Sequence, residues 1–177
     1  MPAMRINPLL PGHRPALFPA TISAYHGSWR KFDRPTAFVE SRGMDFGPGF
    51  YLALSPRDAA SYGSFLYRVV ARLENPIIIG DHVDDELVDW FQRSLGIADH
   101  DLEEHDNPIA AAFFFADTLA DVGRLKPSAL VTALKKLGYD GVYVESEAAE
   151  AHNGVAVDGD LAILWDPAQI LAWERLT

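Results

Sequence analysis

One stretch, Met44 to Tyr62 (MDFGPGFYLALSPRDAASY), restricts the available folds more than any other. Gly47, Pro48 and Gly49 give a backbone that turns sharply and lets another group approach closely. Phe50 to Leu54 then read as a short buried strand. Ser55-Pro56-Arg57-Asp58 has the order of a helix start: Ser55 as N-cap, Pro56 at the first helical position, Asp58 in the first turn. The helix carries Ala59, Ala60 and Tyr62, and Gly63 stops it after about two turns. A tyrosine on a strand end and a second on a short helix are thereby brought near one another, in the form of an aromatic slot.

The rest of the chain alternates strand and helix signals. Thr21 to Ser28 (TISAYHGS) is a strand ending in polar groups and a glycine, followed by a charged loop from Trp29 to Gly43. Phe65 to Leu73 is rich in Val, Tyr and Phe and reads as a strand broken at Asn75-Pro76; Ile77-Ile78-Ile79 is a short buried one. Asp84 to Leu95 has apolar residues on one helical face and acids in its first turn, so it is an amphipathic helix. His100 to Asn107 reads as an acidic loop, Pro108 to Val122 as an apolar helix, and Pro127 to Leu137 as a helix stopped by Gly138. Residues 140–146, 160–166 and 169–176 are strands, with a loop of acids and alanines up to Gly154 between the first two. Strands, a helical insertion over about 84–122, then strands again fit an α+β domain better than a βαβ repeat.

Composition bounds the chemistry. At 177 residues and 49% hydrophobic content, the chain supports one domain with a full core over 21–177, preceded by a proline-rich N-terminal arm over 1–20. The absence of cysteine excludes a disulfide framework, a thiolate zinc site and a cysteine nucleophile. A formal charge of -10 argues against nonspecific binding to nucleic acid or to an anionic membrane. No apolar run approaches the roughly 18 residues of a membrane span, and the arm is a poor secretory signal. The expected location is cytoplasmic, or inside a target cell reached without a Sec-type signal. His100 to Asp106 lack the fixed spacing of a metal site, so no metal is expected. The Gly47-x-Gly49 pair precedes a strand rather than a helix, which removes a Rossmann reading.

His26-Gly27-Ser28, Gly47-Pro48-Gly49-Phe50-Tyr51-Leu52 and Ala60-Ser61-Tyr62 together carry a resemblance. The sequence resembles ADP-ribosyltransferases of the diphtheria-toxin and poly(ADP-ribose) polymerase type, in particular small bacterial and phage-associated members. Asn75-Pro76, Gly138 to Val142 and Trp165 to Ile170 extend the likeness to about residues 24–171. The resemblance implies a split, mostly antiparallel β-sandwich around an NAD cleft with a helical insertion. It implies mono-ADP-ribosylation of a macromolecular acceptor, protein first and nucleic acid second, with release of nicotinamide. A bacterial toxin or effector role and a cognate inhibitor are also consistent with it. The alternatives are an NAD glycohydrolase and a catalytically inactive NAD-binding or interaction module.

The resemblance also assigns residues. Tyr51 and Tyr62 would sandwich the nicotinamide, where stacking and cation–π attraction contribute on the order of 1 kcal/mol each. The backbone of Gly27 would bind the carboxamide, His26 a ribose hydroxyl, and Ser28 a further polar group. Arg30, Lys31 and Arg42 could meet the pyrophosphate. Many members place a glutamate five positions before the Asp of the Asp166-Pro167-Ala168-Gln169-Ile170 run, to stabilise an oxocarbenium-like transition state. That position is Leu161 here, with Asp160 beside it and facing the other way unless a bulge intervenes. His26, Tyr51 and Asp160 are therefore the candidate catalytic residues, and chain elongation to a polymer is not expected. Ala59 stands where some members carry a serine that holds the nicotinamide amide.

Overall fold

The computed structural model describes residues 20–38, 45–154 and 157–177. Arg42, and all of the N-terminal arm except Ala20, lie outside them. A seven-stranded sheet carries the architecture. Its strands are β1 (Thr21–Ser28), β2 (Phe50–Ala53), β3 (Phe65–Arg72), β4 (Ile77–Ile79), β5 (Gly141–Val144), β6 (Leu161–Leu164) and β7 (Ile170–Arg175). They lie in the order β4-β5-β6-β2-β1-β3-β7. Only β4 and β5 run parallel; the other neighbours are antiparallel. The expected α+β class holds, and the strands form one seven-stranded mixed sheet.

The sheet is nearly two sheets. β1 pairs with β3 along all eight of its residues, from Thr21↔Arg72 to Ser28↔Phe65. β2 pairs with β6 along its whole length, from Phe50↔Leu164 to Ala53↔Leu161. Between β1 and β2 there is a single pair, Tyr25↔Ala53. Past it the strands part, and the last three residues of β1 pair with β3 alone.

The helices are α1 (Pro56–Ala60), α2 (Asp85–Leu95), α3 (Asp99–Glu103), α4 (Pro108–Asp121), α5 (Pro127–Lys136) and α6 (Ser146–Asn153). α1 starts as the sequence indicates: the Ser55 hydroxyl accepts from the Asp58 N–H, with Pro56 in the first turn. It is shorter than expected at five residues, leaving Tyr62 in the turn beyond it. Two helices lie where loops were expected. α3 occupies part of the acidic stretch after residue 98 and buries only Leu102. α6 occupies the acid- and alanine-rich stretch, with the Asp160 carboxylate accepting from the Ser146 N–H at its first turn. Neither has the broad apolar stripe by which sequence patterns reveal helices.

Two apolar clusters flank the sheet. The first is built from α2, α4, α5 and the β4-β5-β6 half, including Phe46, Phe91, Phe113, Leu134 and Trp165. α4 is apolar nearly all round because its first half is enclosed, with Ile109 through Phe113 buried. Its start is fixed by Asn107, whose side chain accepts from the Ile109 and Ala110 N–H groups and donates to the Gly80 carbonyl. The second cluster covers the opposite face, with Ile22, Ala24, Leu52, Tyr67, Val69 and Leu164.

One polar knot joins distant segments. The Asp140 carboxylate accepts from the Glu74 and Asn75 N–H groups. The Gln169 side chain accepts from the Trp165 and Asp166 N–H groups and donates to the carbonyls of Arg72 and Asp140. The Asn-Pro, Tyr-Asp-Gly and Asp-Pro-Ala-Gln-Ile runs thus meet in space, each satisfying backbone groups that the strand ends leave open.

Candidate functional site

The parting of β1 from β2 is where the sequence-derived residues gather. In a continued ladder, His26, Gly27 and Ser28 would face Leu52, Tyr51 and Phe50. Instead the His26 side chain crosses the gap, its Nδ1 2.9 Å from the Tyr51 carbonyl oxygen. A carbonyl only accepts, so Nδ1 carries the proton and Nε2 keeps a lone pair. Among the described residues Nε2 has no hydrogen-bond partner.

The His26 ring lies on the face of Ile22 and Ala24, stacked on Phe50 at 4.4 Å between centroids. Phe32 meets it edge-on at 5.5 Å. Tyr51 points to the opposite face, as alternation along β2 requires, and packs against the first cluster. His26 and Tyr51 therefore meet through a backbone atom, across the thickness of the sheet. The slot is thus the parting of β1 from β2, with the His26 ring on one face of the sheet and the Tyr51 ring on the other.

The Tyr51 hydroxyl donates to the Gly47 carbonyl at 2.7 Å and accepts from the Phe46 N–H at 3.1 Å. Burial raises its pKa well above the ordinary 10.0; the Phe46 N–H opposes this in part, and the charges of Asp45 and Asp117 add smaller upward contributions. The hydroxyl stays protonated at neutral pH and ties down the turn that precedes its own strand. In that turn Gly49 has a φ of 145°, and a Cβ there would lie 2.5 Å from the Ile163 side chain. Tyr62 is 63% exposed, and no ring contact joins it to Tyr51 among the described residues. The two rings border the slot without closing on each other.

Gly27 faces α1. A Cβ on it would lie 1.7 Å from the Ala59 carbonyl oxygen, so its lack of a side chain is required by helix packing before any ligand is considered. The Ser28 hydroxyl accepts from the Arg30 N–H at 3.1 Å, which shapes the turn leaving β1. Arg30 and Lys31 are exposed beyond that turn.

Asp160 lies apart from these groups. Its carboxylate accepts from the Tyr143 hydroxyl at 2.5 Å and from the Ser146 N–H at 2.9 Å. The β2–β6 register runs without irregularity from Leu161 to Leu164, so no bulge turns Asp160 toward Tyr51. Leu161 pairs with Ala53 and packs with Tyr51 against the first cluster, so it is the residue on the Tyr51 face. The carboxylates that do act on Tyr51 are Asp45 and Asp117, which the sequence reading passed over. Asp45 adjoins the turn motif and was within reach of that reading. Asp117 comes from α4, and only the tertiary fold brings it there. A crevice of about 20 Å³ lined by Gly47, Phe113 and Asp117 has room for about one water. Among the described residues no group of His, Asp and Glu side chains could hold a metal ion, and no helix is long and apolar enough to cross a membrane.

The two half-buried histidines give the fold a pH dependence. Burial lowers the His26 pKa below 6.5, opposed in part by the bond to Tyr51. Burial also lowers that of His152, with Asp45 opposing and His105 adding to the shift. In both cases the unfolded chain takes up a proton more readily than the folded one. Their contribution is thus complete above the unfolded value of 6.5 and is lost as pH falls through the folded values. Urea titrations are expected to show the unfolding free energy falling as pH drops from about 7 to about 5, with a smaller fall in His26→Gln.

No family model matches the chain, and no curated protein matches it. Among solved structures, one described as the crystal structure of an anti-CRISPR protein aligns with 88% of this chain and 96% of its own, at 16% identity and a TM-score of 0.46. The likeness is too loose to carry an inference about fold or function.

Proposed function

We propose that the chain is an NAD-dependent mono-ADP-ribosyltransferase that modifies a macromolecular acceptor and releases nicotinamide. The observation that supports this reading is the parting of β1 from β2 beyond a single strand pair, bridged by His26. A neutral imidazole with its Nε2 lone pair suits a ribose hydroxyl as donor partner. The exposed Tyr62 ring suits a flat pyridinium amide, and the unpaired side of the β1 end suits a carboxamide that needs both a donor and an acceptor. NAD, as substrate, would supply the scissile nicotinamide–ribose bond; the chain's part is to bind, orient and exclude water. The fold expected of such an enzyme, a split β-sandwich around this cleft, forms part of the same proposal.

The absence of a strand carboxylate on the Tyr51 face limits what this site does. Leu161 cannot stabilise positive charge, and Asp160 is engaged by Tyr143 and Ser146. Transfer of one ADP-ribose, without elongation, fits that arrangement. The same observation favours a second reading, an NAD-binding module without turnover.

Nicotinamide release from NAD by the purified protein, with and without cell lysate, separates these readings. Release that depends on lysate supports the transferase, and labelled NAD then identifies the acceptor. Release in buffer alone points to a glycohydrolase. Binding without release in either condition selects the inactive module. Asp160→Ala sharpens the test. It is expected to cost on the order of 2 kcal/mol of stability through its two lost hydrogen bonds, while turnover per folded molecule stays unchanged. A collapse of turnover in a stably folded variant would return Asp160 to the catalytic set.

A further inference from the structure

A second concavity lies away from the slot, between the β4–α2 connection, the α3–α4 connection and α6. Its volume is about 300 Å³, at the small end of the roughly 300–1,000 Å³ range of ligand pockets. Its floor is formed by partnered, buried groups. Gly80 and Asn107 are buried there and hydrogen-bonded to each other at 3.0 Å. The neighbouring backbone is held by Glu145, which accepts from the Asp81 N–H at 3.2 Å.

The walls differ in character. Val83, Ala148 and Ala151 form an apolar side. Asp81, Asp106 and Glu147 stand exposed at the rim. No described Lys or Arg forms an ion pair with any of the three. His105 and His152 complete the lining. His152 is kept neutral near pH 7 by burial, so it offers a lone pair or an N–H rather than a positive charge. Its ring also lies 5.1 Å from Phe46, the residue whose N–H meets the Tyr51 hydroxyl.

An anion would meet three carboxylates here, and the donors do not converge into a metal site. What suits the lining is a cation on an apolar stem: carboxylates for the head and the alanine and valine wall for the methylenes. We propose that this cavity binds an alkylguanidinium or alkylammonium group, presented either by a basic side chain of a partner protein or by a free amine of the same chemistry. The assignment stands apart from the NAD reading, since none of its residues belongs to the slot.

Calorimetric titration at physiological salt tests it, with agmatine, a blocked Gly-Arg-Gly peptide, and the citrulline peptide as the uncharged match. Saturable one-site binding of agmatine or the arginine peptide is expected, with none for citrulline. Asp106→Asn combined with Glu147→Gln should weaken it roughly tenfold or more. Asp89→Asn, which removes one charge from the outer face of α2, should leave it unchanged. Preference for the peptide assigns the cation to a protein partner, and preference for agmatine assigns it to a free amine. Thermal melts confirm that the near-isosteric variants fold. Failure of both cations to saturate, or equal weakening by Asp89→Asn, overturns the assignment and leaves only the attraction of a chain with net charge -10.

Discussion

Gly27→Ala is expected to destabilise the protein by about 3 kcal/mol or more. The added Cβ would lie 1.7 Å from the Ala59 carbonyl oxygen, 2.8 Å from its carbon and 3.3 Å from the Tyr62 Cβ. Two of those atoms are helix backbone, so no side-chain rotation relieves the overlap. Moving α1 away is costly as well. The Asp58 carboxylate on α1 accepts from the Asp158 and Gly159 N–H groups, and Ser55 caps the same helix. Displacing α1 would therefore break the link to the loop that leads into β6. Guanidinium unfolding monitored by circular dichroism measures the loss. A variant of wild-type stability would mean that α1 is loosely held and that the position is free for another role.

His26→Ala should have the largest effect on function, lowering nicotinamide release by about a hundredfold under the proposed activity. Two losses are mixed in that substitution, and amides separate them. Asn reaches about as far as the imidazole Nδ1, so His26→Asn can still donate to the Tyr51 carbonyl and hold the strands. Gln reaches about as far as Nε2, so His26→Gln can accept from a ribose hydroxyl but leaves Tyr51 unbridged. Asn is thus expected to keep most of the stability and lose release, while Gln keeps part of the release and loses stability, by about 1 kcal/mol for the broken hydrogen bond. Equal activity in all three variants with wild-type release would remove His26 from the site.

Most strands could be read directly from the chain, because apolar runs such as Ile77 to Ile79 are short and are bounded by proline, glycine and aspartate. The start of α1 was equally plain, since Ser55, Pro56 and Asp58 act within one turn of sequence. α3 and α6 were missed for a common reason. Each is held by tertiary contacts, Leu102 in the core for one and Asp160 at the first turn for the other, and neither shows an apolar period of its own. His26 and Tyr51 meet in the structure, yet the way they meet was not available from the sequence. Whether His26 meets the ring or the carbonyl of Tyr51 depends on where β1 and β2 stop pairing, which a single contact, Tyr25↔Ala53, decides. The knot around Asp140 and Gln169 shows the same limit: the motifs were visible, but their partners lie up to 97 residues away.

A sheet joined by one residue pair is a seam, and a seam can be read from outside. The two halves are each laced along full strands, whereas between β1 and β2 there is one strand pair and one imidazole bridge, the knot of Asp140 and Gln169 tying the halves elsewhere. Any molecule lodged in the slot and touching both sides works as an added rung. It should raise the melting temperature in proportion to the logarithm of its concentration above its dissociation constant, and it should slow amide exchange in β1 and β2 more than in β5. Heating the protein with a panel of nucleotides would then rank ligands before any reaction has been found.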